Sequence, residues 1–268
     1  MRVLVTGAAG DIGRVLRDGL QGRYDLLRLS DRAAMGPARD GEEVIVADLT
    51  EMDAVCGLMA GIDSVVHLGG HAGEADWPTI LANNIGATFN VFEAARVAGV
   101  RRMVFASSNH VVGFHPRSRT LKADATHRPD TRYGLSKAFG EDLGRLYADK
   151  HGMEVICLRI GSFQQRPRET RQLSTWISHG DMVRLAVTAL EAEDAHFEIF
   201  YGVSRNDRSF WDNRRAHALG YEPEDNAEAW AEELIPLDPP EPGGPLARRL
   251  QGGTYCEKEF DGDTGKLD

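Results

Sequence analysis

The sequence has few cysteines and no long apolar run, and each shortage excludes certain classes of protein. Its three cysteines, Cys56, Cys157 and Cys256, are widely spaced and odd in number. Such a set forms neither a disulfide framework nor a zinc site, so we expect reduced thiols in a cytoplasmic protein. No apolar stretch approaches the roughly 20 residues that cross a bilayer, and no signal-peptide pattern precedes the first predicted strand.

Basic residues are also scarce relative to acidic ones. The 268 residues contain 31 Lys and Arg against 41 Asp and Glu, which gives a net charge of −10. Because nucleic acids and membrane surfaces are anionic, we expect neither as a partner. His67 and His71 are separated by Gly69-Gly70 and therefore lack the shared helical face of a metal site, so we predict no metal.

Strand and helix patterns alternate up to residue 161, which is typical of a doubly wound parallel sheet in an α/β protein. Short apolar runs predict strands at 3–6, 26–29, 44–47, 64–68, 103–106 and 155–160, and we expect the sixth strand to close the sheet. Helices are predicted at 52–59, 77–98, 181–191, 210–219 and 227–233, besides those that follow Gly10 and carry Tyr133. We expect the proline-rich tail to run extended over the surface; its prolines are Pro236, Pro239, Pro240, Pro242 and Pro245.

A glycine-rich turn follows the first strand. Gly7, Gly10 and Gly13 open an amphipathic helix, where small residues let the backbone approach a pyrophosphate at the helix N-terminus. The spacing is GxxGxxG instead of GxGxxG. Asp31 ends the second strand, where a carboxylate accepts hydrogen bonds from a ribose diol and repels a 2′-phosphate. We therefore expect NAD in preference to NADP, although Arg32 weakens that rule.

A tyrosine and a lysine lie four residues apart in Tyr133-Gly134-Leu135-Ser136-Lys137. On a helix they share one side, and an ammonium beside a phenol favours the phenolate. Ser108 ends the fifth predicted strand, where its hydroxyl can hold a substrate oxygen. YxxxK also occurs by chance in surface helices, so this motif gains its meaning from the dinucleotide pattern around it.

These motifs together resemble the extended short-chain dehydrogenase/reductase family. The matching segments are Thr6-Gly7-Ala8-Ala9-Gly10-Asp11-Ile12-Gly13, Asp48-Leu49, Val66-His67-Leu68, Asn84 with Asn90, Phe105-Ala106-Ser107-Ser108 and the tyrosine–lysine segment. The resemblance implies a Rossmann-type doubly wound parallel sheet with a small C-terminal substrate-binding region. It also implies Tyr133 as acid/base, Ser108 as the group that orients the substrate, and Lys137 on the nicotinamide ribose.

We interpret residues 1–268 as one extended short-chain dehydrogenase domain. Residues 1–161 would form the NAD-binding core, and 162–268 mainly the substrate-binding region and tail. NAD contacts are predicted for Gly7, Gly10, Asp11, Ile12, Asp31, Arg32, Asp48, Leu49, Leu68, Gly69, Gly70, Asn84, Tyr133 and Lys137.

Within that family the chain resembles the uronate dehydrogenases from end to end. The matching segments are Ser107-Ser108-Asn109-His110, Arg159-Ile160-Gly161-Ser162, Arg171-x-Leu173-Ser174-Thr175-Trp176, Trp211-Asp212-Asn213 and Gln251-Gly252-Gly253-Thr254-Tyr255. The resemblance implies a sugar acid substrate whose carboxylate pairs with Arg171. Sugar contacts are implied for His71, Ser108, Asn109, His110, Tyr133 and Ser162, with Tyr255 lining the nicotinamide pocket. Ala72 stands where a serine is expected, which affects the sugar preference.

The predicted activity is NAD-dependent oxidation of the anomeric carbon of galacturonate or glucuronate to the aldarolactone. The alternative is a nucleotide-sugar epimerase or dehydratase, although only about a hundred residues follow the sixth strand to hold a nucleotide. A non-catalytic dinucleotide-binding regulator is a third possibility, which the retained tyrosine and lysine disfavour. We also expect a homo-oligomer, because the helices around 84–98 and 133–150 resemble the dimer-forming pair of the family.

Overall fold

The computed structural model describes residues 1–236 and 241–267. Its centre is a seven-stranded sheet in the order β3-β2-β1-β4-β5-β6-β9, in which every neighbouring pair is parallel. The strands are β1 Arg2–Thr6, β2 Leu26–Asp31, β3 Glu42–Val46, β4 Ser64–His67, β5 Arg102–Ser108, β6 Glu154–Ile160 and β9 Phe197–Gly202. The Rossmann-type α/β prediction is confirmed.

Helices cover both faces of this sheet. On one face, α1 (Asp11–Gly19) and α7 (His179–Glu191) bury Leu16 and Leu185 in a common core. On the other face, α2 (Met52–Leu58), α4 (Ala87–Val97) and α5 (Arg132–His151) enclose a second core. Apolar strands buried on both faces are what a parallel sheet with helices on each side requires.

The helix predicted at 77–98 contains three segments. α3 (Trp77–Ile80) leads into a π-helical turn at Leu81–Gly86, and α4 follows without a break. A π turn inserts an extra residue into the helix and commonly marks a functional position. Here it carries Asn84.

The prediction that the sixth strand closes the sheet is wrong. β9 pairs with β6 from Val155↔Phe197 to Ile160↔Gly202 and forms the edge. Its residues are Phe-Glu-Ile-Phe-Tyr-Gly, and the interspersed glutamate hid a strand that is only partly buried. The predicted helix at 210–219 shortens to α8 (Arg214–Ala218), because Trp211 is buried and stacks on Tyr201.

The remaining elements are short, and most of them belong to the C-terminal part of the chain. They are β7 Ser162–Phe163, α6 Gln172–Thr175, β8 Trp176–Ile177, α9 Ala231–Leu234 and α10 Pro245–Arg249, with 3-10 turns at Asn109–Val112, Ala227–Trp230, Gly253–Glu257 and Thr264–Lys266. None of the helices in the described ranges is long and apolar enough to span a bilayer.

The prediction of an extended tail over the surface is wrong for the part that follows residue 240. Pro245 occupies the start of α10, where its fixed φ favours a helix and its missing N–H costs nothing. Leu250, Gln251 and Cys256 are buried. Pro239 and Pro240 lie outside the described residues.

Candidate active site

A cleft of about 590 Å³ opens along the carboxyl ends of the sheet strands. Its walls include residues at or just beyond the carboxyl ends of six strands, the edge that the sequence predicts: Gly7, Asp31, Asp48, Gly69, Ser108 and Gly161. The strand order reverses between β1 and β4, which is where ligands bind in open sheets of this kind.

One end of the cleft is formed by the glycine-rich turn. Gly7 has φ +71°, and a Cβ there would lie 2.7 Å from the backbone nitrogen of Gly69. Only glycine therefore allows β1 and β4 to approach so closely at this point. Gly10, Asp11 and Ile12 line the cleft at the N-terminus of α1, whose free N–H groups favour an anion.

Carboxylates border the same end of the cleft. Asp31 accepts hydrogen bonds from the backbone N–H groups of Ala9 (3.0 Å) and Ala33 (2.9 Å), so it connects the glycine turn to the end of β2. Asp48 accepts bonds from the backbone and hydroxyl of Thr50, which lower its pKa. The remaining predicted cofactor residues that line this end are Arg32, Leu49, Leu68 and Gly70.

Asn84 lies outside the cleft lining. Its amide oxygen accepts from the backbone N–H of His71 (2.7 Å), and its amide nitrogen donates to the His71 carbonyl and the Ser136 hydroxyl (both 3.1 Å). These bonds occupy the side chain, and the contact of Asn84 with the cofactor stays a prediction. Asn84 joins the loop after β4 to the helix that carries Tyr133.

Tyr133, Ser108 and Lys137 meet at the middle of the cleft. Thr131 caps α5 by accepting from the Gly134 N–H (3.0 Å), and Glu74 accepts from the Tyr133 N–H (2.8 Å). These bonds fix the first turn of the helix. The ammonium of Lys137 donates to the Ala106 carbonyl (2.8 Å) and lies 5.7 Å from the centroid of the Tyr133 ring.

Burial is the largest influence on the pKa values of Tyr133 and Lys137. It raises the pKa of Tyr133 to about 12, against a smaller lowering by the hydrogen bond with Ser108. Burial also lowers the pKa of Lys137 to about 8. The expectation that Lys137 favours the phenolate is therefore not met by the chain alone, because the ammonium is itself desolvated and bonded to a carbonyl. Tyr133 is a neutral phenol at pH 7.

The other end of the cleft is aromatic and polar. The His110 ring stacks on Tyr255 with 4.0 Å between centroids and meets Tyr133 edge-on at 6.0 Å. All three rings line the cleft, as do His71 and Asn109. Tyr255 reaches this position from the 3-10 turn at Gly253–Glu257. With Ser108, the cleft wall thus contains six of the eight residues predicted at the substrate, and the other two are Arg171 and Ser162.

Arg171 lies behind this wall and does not itself line the cleft. Its Nε donates to the Gln251 carbonyl (2.8 Å), and its Nη2 donates to the Asn109 side-chain oxygen (3.0 Å) when that amide is oriented to satisfy both its groups. Burial lowers the pKa of Arg171, and the nearby Arg117 lowers it further. Within residues 1–236 and 241–267, no carboxylate forms an ion pair with this guanidinium. Ser162, also behind the wall, bonds to the Thr175 hydroxyl (2.9 Å).

Sequence reasoning missed several residues of this end. Asp130 bonds to His110 from a loop without periodicity, and Phe163 and Gln164 line the cleft just after β6. Gln251 holds Arg171 through its carbonyl, while its side chain bonds to Trp211 and to two backbone carbonyls. Only the family resemblance signalled Gln251. No local pattern marks Asp130, since its contacts are made by distant segments.

His67 has a structural role. It is buried between the hydroxyls of Thr6 (2.8 Å) and Thr88 (3.3 Å), and burial lowers its pKa to about 3. In the described part of the chain, no three His, Cys, Asp or Glu side chains are grouped as metal ligands. The absence of a metal stays a prediction.

Known proteins resemble the chain over nearly its whole length. The uronate dehydrogenase of Pseudomonas syringae pv. tomato is 44% identical over 263 residues, which cover 98% of this chain and 95% of that protein. The crystal structure of uronate dehydrogenase from Agrobacterium tumefaciens has a TM-score of 0.90 at 43% identity, with 96% of each chain covered. A mutant of that enzyme complexed with NAD matches equally well, at 43% identity and TM-score 0.90 over 96% of this chain and 97% of that one.

Residues 3–179 match the NAD dependent epimerase/dehydratase family. The chain therefore belongs to that family, the extended short-chain dehydrogenases/reductases, as its motifs predict.

Proposed function

We propose that the chain oxidises the anomeric carbon of a hexuronic acid, galacturonate or glucuronate, to the aldarolactone with NAD as the hydride acceptor. The observation that carries the proposal is Arg171. Arg171 is partly buried behind Asn109, its guanidinium is bonded to neutral oxygens, and no carboxylate of the described chain forms an ion pair with it. A partly buried guanidinium without an ion-pair partner in the described chain is free to form charge-assisted hydrogen bonds, which a substrate carboxylate would supply.

The residues at the glycine-rich end of the cleft fit NAD. The Gly7 turn and the N-terminus of α1 suit a pyrophosphate, while Asp31 suits a ribose diol and disfavours a 2′-phosphate. The adenine side of the cleft is bordered by Asp48 and Leu49. Its centre is bordered by Leu68, Gly69 and Gly70. Lys137 would hold the nicotinamide ribose. Arg32, whose Nη1 lies 3.4 Å from Asn83, would lie beside the adenosine.

Tyr133 is the acid/base residue in this mechanism, and Ser108 holds the anomeric oxygen on which it acts. When bound, oxidised NAD supplies a positive ring and accepts the hydride. Because burial keeps Tyr133 neutral in the chain alone, it becomes an effective base only when a cation beside it lowers its pKa. The proton from the anomeric hydroxyl then passes to the Tyr133 oxygen. Asn109 and His110, which line the cleft, hold ring hydroxyls, and His71 takes the place of the serine expected at position 72. Ser162 would contact the sugar only by turning away from Thr175.

We also propose one domain over residues 1–268, since β9 from the C-terminal part completes the sheet. Assembly into a homo-oligomer would cover large apolar side chains exposed on α3, the π turn, α4 and α5; they are Trp77, Leu81, Phe89, Leu135 and Leu146. The three free cysteines favour a cytoplasmic location.

The test is NADH formation, followed by absorbance, with galacturonate, glucuronate, galactose, glucose and glucose 6-phosphate. We expect turnover of the two uronates at far lower concentrations than the neutral hexoses. Glucose 6-phosphate separates recognition of a carboxylate from recognition of any anion. Uronates that give no NADH would refute the proposal, and interconversion of a nucleotide sugar without net NADH would favour an epimerase.

A further inference from the structure

Asp130 is a buried carboxylate next to the cleft that the mechanism above does not use. Its side chain has no solvent exposure. One oxygen accepts from the Thr131 hydroxyl (2.9 Å), and the other bonds to Nδ1 of His110 (2.7 Å). Since Thr131 also caps α5, one carboxylate links the His110 ring to the helix that carries Tyr133.

The backbone encloses this carboxylate closely. A Cβ added to Gly113 or to Gly252 would lie 1.9 Å from its Oδ2, and a Cβ on Gly134 would lie 3.2 Å from its Oδ1. These glycines belong to three segments that are distant in sequence. The Asp130 side chain consequently has one available orientation, and the direction of its bond to His110 is fixed.

His110 is constrained on its other sides as well. Its ring stacks on Tyr255 at 4.0 Å with an interplanar angle of 19°, and it meets the edge of Tyr133. The ring lines the cleft, and its Nε2 has no hydrogen-bond partner among the described residues. One ring nitrogen is therefore tied to Asp130, and the other is left for a ligand.

We propose that Asp130 is a positioning residue that keeps a proton on Nδ1 of His110 and so fixes how Nε2 faces the sugar. A neutral imidazole donates from one nitrogen and accepts at the other, and an ionised carboxylate at Nδ1 selects the form with the proton there. Nε2 then accepts a hydrogen bond from a ring hydroxyl beside the reacting carbon. This role rests on the proposed oxidation of a uronate.

Asp130→Asn tests the role, because it keeps the shape and removes the obligate acceptor. An asparagine amide can donate to Nδ1, which lets the proton move to Nε2 and turns an acceptor into a donor. We expect the KM for galacturonate to rise about tenfold, which corresponds to the loss of roughly one hydrogen bond. The KM for NAD should stay unchanged. In a His110→Ala background, the same substitution should add no further rise.

Cys256→Ala is the matched control for loosening of this region. The Cys256 thiol is buried 3.8 Å from Oδ2 of Asp130, the oxygen that bonds to His110. Among the described residues, the thiol forms no hydrogen bond with His110 itself. We expect Cys256→Ala to lower thermal stability without changing the KM for the sugar. Two results would overturn the proposal: an Asp130→Asn variant that lowers stability but leaves the KM unchanged, and an equal rise of the KM with and without His110.

Imidazole nitrogen NMR on the wild-type protein tests the same point without a variant of Asp130, so a folding failure of Asp130→Asn leaves the proposal testable. The His110 signals, identified by their loss in His110→Ala, should show a proton on Nδ1. An unprotonated Nδ1 would overturn the proposal. This measurement needs no substrate, so it separates failure of the positioning role from failure of the uronate activity.

Discussion

Arg159 in the interior and Arg171 at the substrate end are satisfied in opposite ways, and the first is fully buried whereas the second is only partly buried. Arg159 forms two bonds with the buried carboxylate of Glu141, at 2.9 and 2.8 Å, and further bonds with Ala123 and Tyr201. Arg171 is bonded to two neutral oxygens. A buried charge with its counterion inside the protein supports the fold, whereas a partly buried guanidinium without an ion pair in the described chain is available to a ligand.

Loss of the acid/base group separates the chemical step from substrate binding and stability, the two properties in which Arg159 and Arg171 are compared. Tyr133→Phe should reduce kcat by about 10³-fold, within the usual range for a general acid/base, because it removes the hydroxyl that hydrogen-bonds with Ser108. NAD affinity, measured by fluorescence titration, should persist. A variant with near-normal kcat would show that Tyr133 is not the acid/base.

Arg159→Met should lower the free energy of unfolding by about 3–5 kcal/mol, because it leaves a carboxylate buried without its cation. Chemical denaturation measures this loss. The control is Arg101→Met, since Arg101 pairs with Glu154 at the surface with its side chain 56% exposed, and such pairs contribute about 1 kcal/mol or less. Equal losses of unfolding free energy in the two variants would show that the Arg159–Glu141 pair contributes no more than a surface ion pair.

Arg171→Met should raise the KM for galacturonate by roughly 10- to 150-fold, which corresponds to about 1.5–3 kcal/mol for bonds to a charged group. Thermal stability should change little, because Arg171 is only partly buried and forms no ion pair with the described residues. The KM for NAD is the internal control. A stability loss as large as that of Arg159→Met would show that the two arginines have the same role.

The comparison also predicts a pH dependence for the interior. Burial raises the pKa of Glu141, but bonds from His127 and Arg159 outweigh it and leave the pKa below its usual value. The ion pair therefore stabilises the fold above the unfolded-state pKa, and this contribution fades as pH falls through the folded-state pKa. Glu141→Gln should cost about 1–3 kcal/mol at pH 7, and urea unfolding near pH 4 should show a smaller gap to wild type. A gap independent of pH would contradict the assignment.

The smallest effect is expected from Gly253→Ala. A Cβ there would lie 2.9 Å from Cδ of Arg171, at a backbone φ of +64°. Displacement of the guanidinium should raise the KM for galacturonate about three- to fivefold, or roughly 1 kcal/mol. Gly22→Ala is the control, because φ is +69° there and nothing lies within 4 Å of the added Cβ. Both variants should lose similar stability, and only Gly253→Ala should change the KM.

The two ends of the cleft also differ in how far the sequence predicts them. Gly7, Asp31 and Gly69 follow apolar runs directly, and parallel strands bring their carboxyl ends to one edge, so local pattern is sufficient. The substrate end depends on pairs far apart in the chain. Arg171 and Gln251 are separated by 80 positions, and His110 and Asp130 by 20.

Local reading fails where burial overrides composition. Prolines in the tail indicated an extended segment, although Pro245 starts a helix and Leu250 is fully buried. A lone glutamate concealed β9. The sequence contains Arg159 and Arg171, but it does not show that Arg159 is the one that pairs with a buried carboxylate.

The carbonyl of Gln251 and the ring of Tyr255 act on segments that lie far from them in the chain. Gln251 bonds to Arg171, and Tyr255 stacks on His110. This wall of the cleft therefore forms only when the 3-10 turn at Gly253–Glu257 has docked against the rest of the fold. A local opening of that turn would release both the ring stack and the arginine while the strands of the sheet stay paired.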